Sequence, residues 1–290
     1  MSNQDKLLYI LKVVFIILLL LLVLLSLFLV KHIFNIGNKE KKTINKVRVI
    51  ERKYDVNNIN NVIFNFKNFE VKYIISNDEK IVVKQKGKTN KFYVDGKKNN
   101  KVLNIEESIL DIFDKKTYKI YIPKKYTGKI KIINGFGNIE ISKINNLELE
   151  NNSGNVRIKD AKTINLVNVS GNVIIKGKTD RVVAYSTTGD LIISKLGSSC
   201  NIETITGDIN INNFRVSDYS RVESTSGNIT LKLSKNSNCR LDYQKNDTHQ
   251  IKNNKCINGE NELKVKNVTG NIVIKWWHFN LLCYNWREGR

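Results

Sequence analysis

Asp190 and Asp208 fall at equivalent positions of two neighbouring hexapeptides, TGDLII at 188–193 and TGDINI at 206–211. Carboxylates stacked in this way could bind Ca²⁺ or act as an acid–base pair on a polysaccharide. The same column holds Asn155, Asn172, Asn228 and Asn271, as a turn requirement predicts, so the structural reading is preferred. The cysteines Cys200, Cys239, Cys256 and Cys283 form no CxxC pair, and His32, His249 and His278 are scattered, which argues against zinc. Cys239 and Cys256 flank one long connection that a disulfide could close if the domain lies outside the cytoplasm, but isolated buried thiols are the preferred reading. No nucleophile elbow, HExxH or phosphate-binding glycine loop is present. The expectation is a chain with no catalytic, cofactor-binding or metal-binding residues and no cofactor.

The elements that position these residues form a repeat. GFGNIEI at 135–141 is followed by SGNVRI at 153–158, SGNVII at 170–175, TGDLII, TGDINI, SGNITL at 226–231 and TGNIVI at 269–274. Successive glycines from Gly137 to Gly227 are separated by 17, 17, 18, 18 and 20 residues, and Gly227 and Gly270 by 43. A near-constant period marks stacked rungs, because one rung cannot bury its apolar face alone. Gly followed by Asn or Asp makes the turn, and alternation then sets Val156, Val173, Leu191, Ile209, Ile229 and Ile272 on one face.

The sequence therefore predicts an all-β protein: a β-solenoid of the single-stranded β-helix type, preceded by one transmembrane α-helix. The eighteen residues Val13–Val30 carry no charge, and the apolar character extends to Phe34, so 13–34 is assigned as an uncleaved anchor after a short N-terminal segment, 1–12. A polar linker follows at 35–46. Residues 47–133 form an N-terminal β section and 134–275 the repeat solenoid, interrupted at about 234–262 by an enlarged rung or projecting loop. Glu106–Asp114 reads as one helical turn or a loop. The aromatic tail, 276–290, holds all three tryptophans and is expected to cap the open end, with contact to a membrane interface or a partner as the other reading.

The formal net charge is +21, with 25 Lys/Arg against 11 Asp/Glu in residues 31–132 and 21 against 15 in residues 133–290. Such a field attracts anionic polymers or headgroups, although a lysine-rich solvated surface gives the same count.

The IYIPKKYTGKIKIINGFGNIEI stretch and the Ser/Thr-Gly-Asn/Asp ladder after it resemble the DUF4097 family over roughly residues 47–275. The resemblance implies a β-solenoid, commonly tethered to bacterial membranes and spoken of as an adhesin, with no agreed biochemical activity.

The expected function is that of a non-catalytic, membrane-anchored binding or structural module at the bacterial cell envelope. Its expected partners are the membrane, as a single-pass protein, and anionic cell-wall polymers or lipid headgroups. Nucleic acid is disfavoured because no stacking platform of interleaved aromatics is evident. The domain is expected on the extracytoplasmic side, although Lys31, Lys39, Lys41, Lys42, Lys46 and Arg48 after the anchor favour the cytoplasm by the positive-inside rule. A cytoplasm-facing scaffold or regulatory module, and a polysaccharide-acting enzyme on a solenoid, remain alternatives.

Overall fold

The structure, a computed structural model, describes residues 26, 47–67, 70–88, 91–108, 116–243, 250–251, 256 and 259–276. The chain divides into two compact units, residues 1–47 and 48–290. Apart from Ser26, the expected anchor at 13–34 lies outside the described residues, as do the linker at 35–46 and the tail beyond Trp276. Among the described residues no helix is long and apolar enough to cross a membrane.

The second unit is all β among its described residues. Each rung contributes one strand to a front sheet and one to a back sheet, and the Ser/Thr-Gly-Asn/Asp turn joins them. The front sheet runs through Lys129–Phe136, Ile144–Ser153, Ala161–Asn168, the second halves of Val173–Thr188 and Leu191–Thr206, and Ser220–Ser226, all parallel. The back sheet runs through Ile139–Ile141, Val156–Ile158, the first halves of those two long strands, Ile209–Phe214 and Ile229–Leu233, also parallel. Alternation decides which residues enter the core. Leu149, Leu166, Ala184, Ile202 and Val222 from the front meet Val156, Val173, Leu191, Ile209 and Ile229 from the back, and all are buried. An all-β solenoid is thus what the residues form.

Both ends of the stack depart from simple sequence order. At the start, the rung Asn61–Phe66 with Glu70–Ser76 is covered from outside by a later one, Val102–Glu107 with Thr117–Pro123, and the chain then returns to Lys129 on the inner side. At the other end, Cys239–Tyr243 and Gln250–Ile251 form an outer rung. The chain then returns to insert Asn261–Thr269 and Ile272–Trp276 between that rung and the one before it. Hence Gly227 and Gly270, 43 residues apart in sequence, stack as neighbours. Of the interruption at 234–262, the described strands Cys239–Tyr243 and Gln250–Ile251 lie at the end of the stack, while Asn261 and Glu262 open the strand inserted beside them. Glu106 and Glu107 belong to a strand, and 109–115 lies outside the described residues.

The sheet edges are covered by antiparallel chain. Val94–Asn99 pairs antiparallel with Val102–Glu107 at the front; Ile81–Gly87 and then Arg48–Tyr54 close the back. At the far end the Leu241 N–H donates to Cys256 O, and Gly259 N–H donates to Cys239 O, each at 3.1 Å. Cys239 and Cys256 are joined by a disulfide, with Cα atoms 4.6 Å apart. These devices blunt edges that would otherwise recruit further strands.

Candidate functional site: a basic stripe on the back sheet

The turns come first, because they hold Asp190 and Asp208. Each turn glycine has φ between 108° and 137°. At Gly189 (φ 110°) a Cβ would also overlap the carbonyl oxygen of Gly171 in the rung below, so conformation and stacking both require glycine there. The following Asn or Asp side chain accepts a hydrogen bond from the backbone N–H of the next rung. Asn172 Oδ1 accepts from Asp190 N at 2.9 Å, Asp190 Oδ1 from Asp208 N at 2.9 Å, and Asp208 Oδ1 from Asn228 N at 2.7 Å. The two aspartates are thus brought together as members of an Asn/Asp ladder that fixes rung spacing. Among the described residues no group of three or more His, Cys, Asp or Glu could hold a metal ion.

A second ladder lies inside the same bend. Asn134 Nδ2 donates to Asn151 Oδ1 and Asn151 Nδ2 to Asn168 Oδ1, both at 2.7 Å; Asn168 Nδ2 donates to Ser186 Oγ at 3.0 Å. Each asparagine also caps a turn carbonyl, those of Gly137, Gly154 and Gly171, at 2.9 Å. The column continues as Thr204, Ser224 and Asn267. The signal was present in sequence, since the residue three before each turn glycine is polar in every repeat.

The other reactive residues are sealed off or undescribed. Cys200 is buried and burial pushes its thiol pKa up, which makes it a poor nucleophile. His32, His249, His278 and Cys283 lie outside the described residues.

The charge is sorted by face. Along the outside of the back sheet, strand register places Lys84, Lys119 and Lys72 on three adjacent strands, Lys119 opposite both others. The same row continues through Glu140 to Arg157. Lys159 and Lys176 follow in the next row, as the Ile158–Ile175 pairing dictates. The stripe crosses five strand intervals, about 24 Å. Its acids sit at set places: Lys84 pairs with Glu51 at 3.2 Å, and Lys72 with Glu140 at 2.9 Å. The hydrogen bond from Lys72 holds the Glu140 carboxyl below its usual range. Lys84 also lies over the Tyr121 ring, 5.4 Å from its centroid. Lys119 has no carboxylate partner among the described residues. Clustering of lysines in residues 31–132 was visible in the sequence. Their gathering on one face was not, because it depends on register between strands distant along the chain.

The stacked two-sheet fold and its glycine turns define a β-solenoid. More particularly, the chain belongs to the Toastrack DUF4097 family, whose profile matches residues 45–275. Among solved structures, a presumed adhesin from Bacteroides fragilis shares the fold, with a TM-score of 0.50 and 18% identity over 78% of this chain and 97% of that one. A presumed lipid-binding protein from Parabacteroides distasonis aligns with a TM-score of 0.45 and 14% identity over 79% and 97%. A presumed adhesin from Parabacteroides merdae gives 0.42 and 13% over 79% and 96%. No curated protein matches the chain.

Proposed function

We propose that this chain is a single-pass membrane protein whose solenoid stands on the extracytoplasmic side and serves as a non-catalytic binding module for anionic material of the cell envelope. The observation that carries the reading is the basic stripe on the back sheet. It is a row of cations whose neighbouring carboxylates, Glu51 and Glu140, are each paired with a lysine. Strand pairing fixes where the cations stand, so only their side chains need ordering on binding, and the net positive surface raises the local concentration of anionic partners. The uncharged stretch Val13–Val30 supplies the anchor, and a disulfide between Cys239 and Cys256 suits an oxidising compartment.

Binding is tested with the full chain reconstituted in neutral-lipid nanodiscs, using anionic and neutral glycopolymers as probes and monitoring the polymers for cleavage. Salt-sensitive binding of anionic probes with no cleavage is expected. Equal binding of neutral polymers, or turnover of any polymer, would defeat the proposal. A cytoplasm-facing scaffold stays as the second reading, supported by the six Lys/Arg from Lys31 to Arg48.

A further inference from the structure

Lys72, Lys119 and Lys84 make an arrangement that folding alone disfavours. Like charges directly opposite one another on neighbouring strands repel, and Lys119 has a cation opposite it on both sides. The outer two are tied back, Lys72 to Glu140 and Lys84 to Glu51. The central ammonium has neither a carboxylate nor an aromatic ring assigned to it among the described residues. Lys72 and Lys84 each stand about 5 Å from Lys119 at Cβ, and about 10 Å from each other, within reach for the three ammonium groups to converge on one oxyanion. Lysine binds phosphate as a compact point charge, and three neighbouring ammonium groups can share the oxygens of one phosphate.

We propose that this triad is a phosphate site and that the stripe beyond it, Arg157, Lys159 and Lys176, guides successive phosphates of one extended phosphodiester polymer lying along the solenoid axis. The proposal deepens the binding function above and rests on it. A lipid bilayer is the other source of phosphate, and the surrounding carboxylates disfavour it. Glu51 and Glu140 bound the triad along its row, and Glu70 lies one row away on the Lys72 strand. A headgroup plane would press all three against anions, whereas a single polymer file running from the triad to Arg157 crosses only Glu140, whose charge Lys72 already pairs.

The test uses the full chain in neutral-lipid nanodiscs, with calorimetric titration of poly(glycerol phosphate). Neutral dextran, hyaluronate as a carboxylate polymer, and phosphatidylglycerol vesicles serve as comparison probes. Lys119→Gln should weaken poly(glycerol phosphate) binding about 5- to 10-fold and flatten its dependence on log salt, by analogy with counterion release from other phosphate polymers. Lys264→Gln, on the front sheet, should change binding less than about 2-fold. Removing the repulsion should also raise the thermal midpoint of Lys119→Gln at low salt, a readout that separates loss of binding from loss of fold. Binding by Lys119→Gln equal to the parent would overturn the triad while leaving an anion-binding module intact. Preference for vesicles or hyaluronate over poly(glycerol phosphate) would overturn the polymer assignment. Failure of every anionic probe would remove the function proposed above as well.

Discussion

Replacing Asn151 by alanine tests whether the internal ladder holds the rungs together. Asn151 is 2% exposed; it accepts from Asn134, donates to Asn168 at 2.7 Å and to Gly154 O at 2.9 Å, with a longer contact to Ser170 O at 3.2 Å. With alanine there, Asn134 Nδ2 keeps the Gly137 carbonyl at 2.9 Å, so the donor below is not orphaned. The losses lie above, where Gly154 O and Asn168 Oδ1 become acceptors without their donor. A buried polar atom left unsatisfied costs about 1–3 kcal/mol, so two predict roughly 4 kcal/mol of destabilisation. Asn151→Ser should lose about half as much, because a hydroxyl can restore one donor, and the protein itself places Ser186 next to Asn168 at 3.0 Å. The assay is urea unfolding of the full chain in detergent followed by circular dichroism. Amide exchange at neighbouring rungs localises the loss, since stacked repeats need not unfold in one step. A change below about 1 kcal/mol for the alanine variant would refute the reasoning.

Three other outcomes follow from the same geometry. Asp190→Asn should leave stability within about 0.5 kcal/mol, because asparagine offers the same acceptor to Asp208 N and stands in that column elsewhere. Asp190→Ala should cost about 1 kcal/mol by denaturation, and equal effects would show that the acceptor is irrelevant. Reducing the Cys239–Cys256 disulfide, which spans 17 residues, should destabilise the last rungs by about 3 kcal/mol on a chain-entropy basis. Amide exchange should then rise first in Cys239–Tyr243, and unchanged exchange there would contradict the expectation. Burial raises the pKa of the Tyr73 and Tyr118 hydroxyls, and that of Tyr126 to about 12. The unfolded chain ionises its tyrosines near 10, so their stability contribution is complete below that pH and declines as pH climbs past it. Denaturation midpoints should therefore fall steeply above about pH 10, and a flat profile from pH 9 to 12 would disprove the linkage.

The regular part of the fold was legible because one physical rule repeats. A rung of nearly constant length needs a positive-φ turn, so glycines recur at nearly constant spacing from Gly137 to Gly227. Where the rule lapses, the sequence became hard to read. The rung of Asn61–Phe66 and Glu70–Ser76 turns without glycine, and both ends of the stack insert a rung out of chain order. The spacing of 43 residues shows that a period breaks but carries no record of which strands then become neighbours. The same gap in one-dimensional information hid the lysine triad, whose members come from strands brought together only by that reordering. The turn role of Asp190 and Asp208 was readable from the asparagines sharing their column. The buried Asn134–Asn151–Asn168 ladder was equally written there, as polar residues at positions where alternation alone would place apolar ones.

The proposed binding function requires the solenoid to stand on the outer side of the membrane. Thr225 lies exposed on the front sheet, away from both the basic stripe and the disulfide. Intact cells expressing Thr225→Cys, treated with a membrane-impermeant maleimide, should be labelled above the parent chain. If instead label appears only after the membrane is opened, the solenoid faces the cytoplasm and its basic stripe cannot serve the envelope.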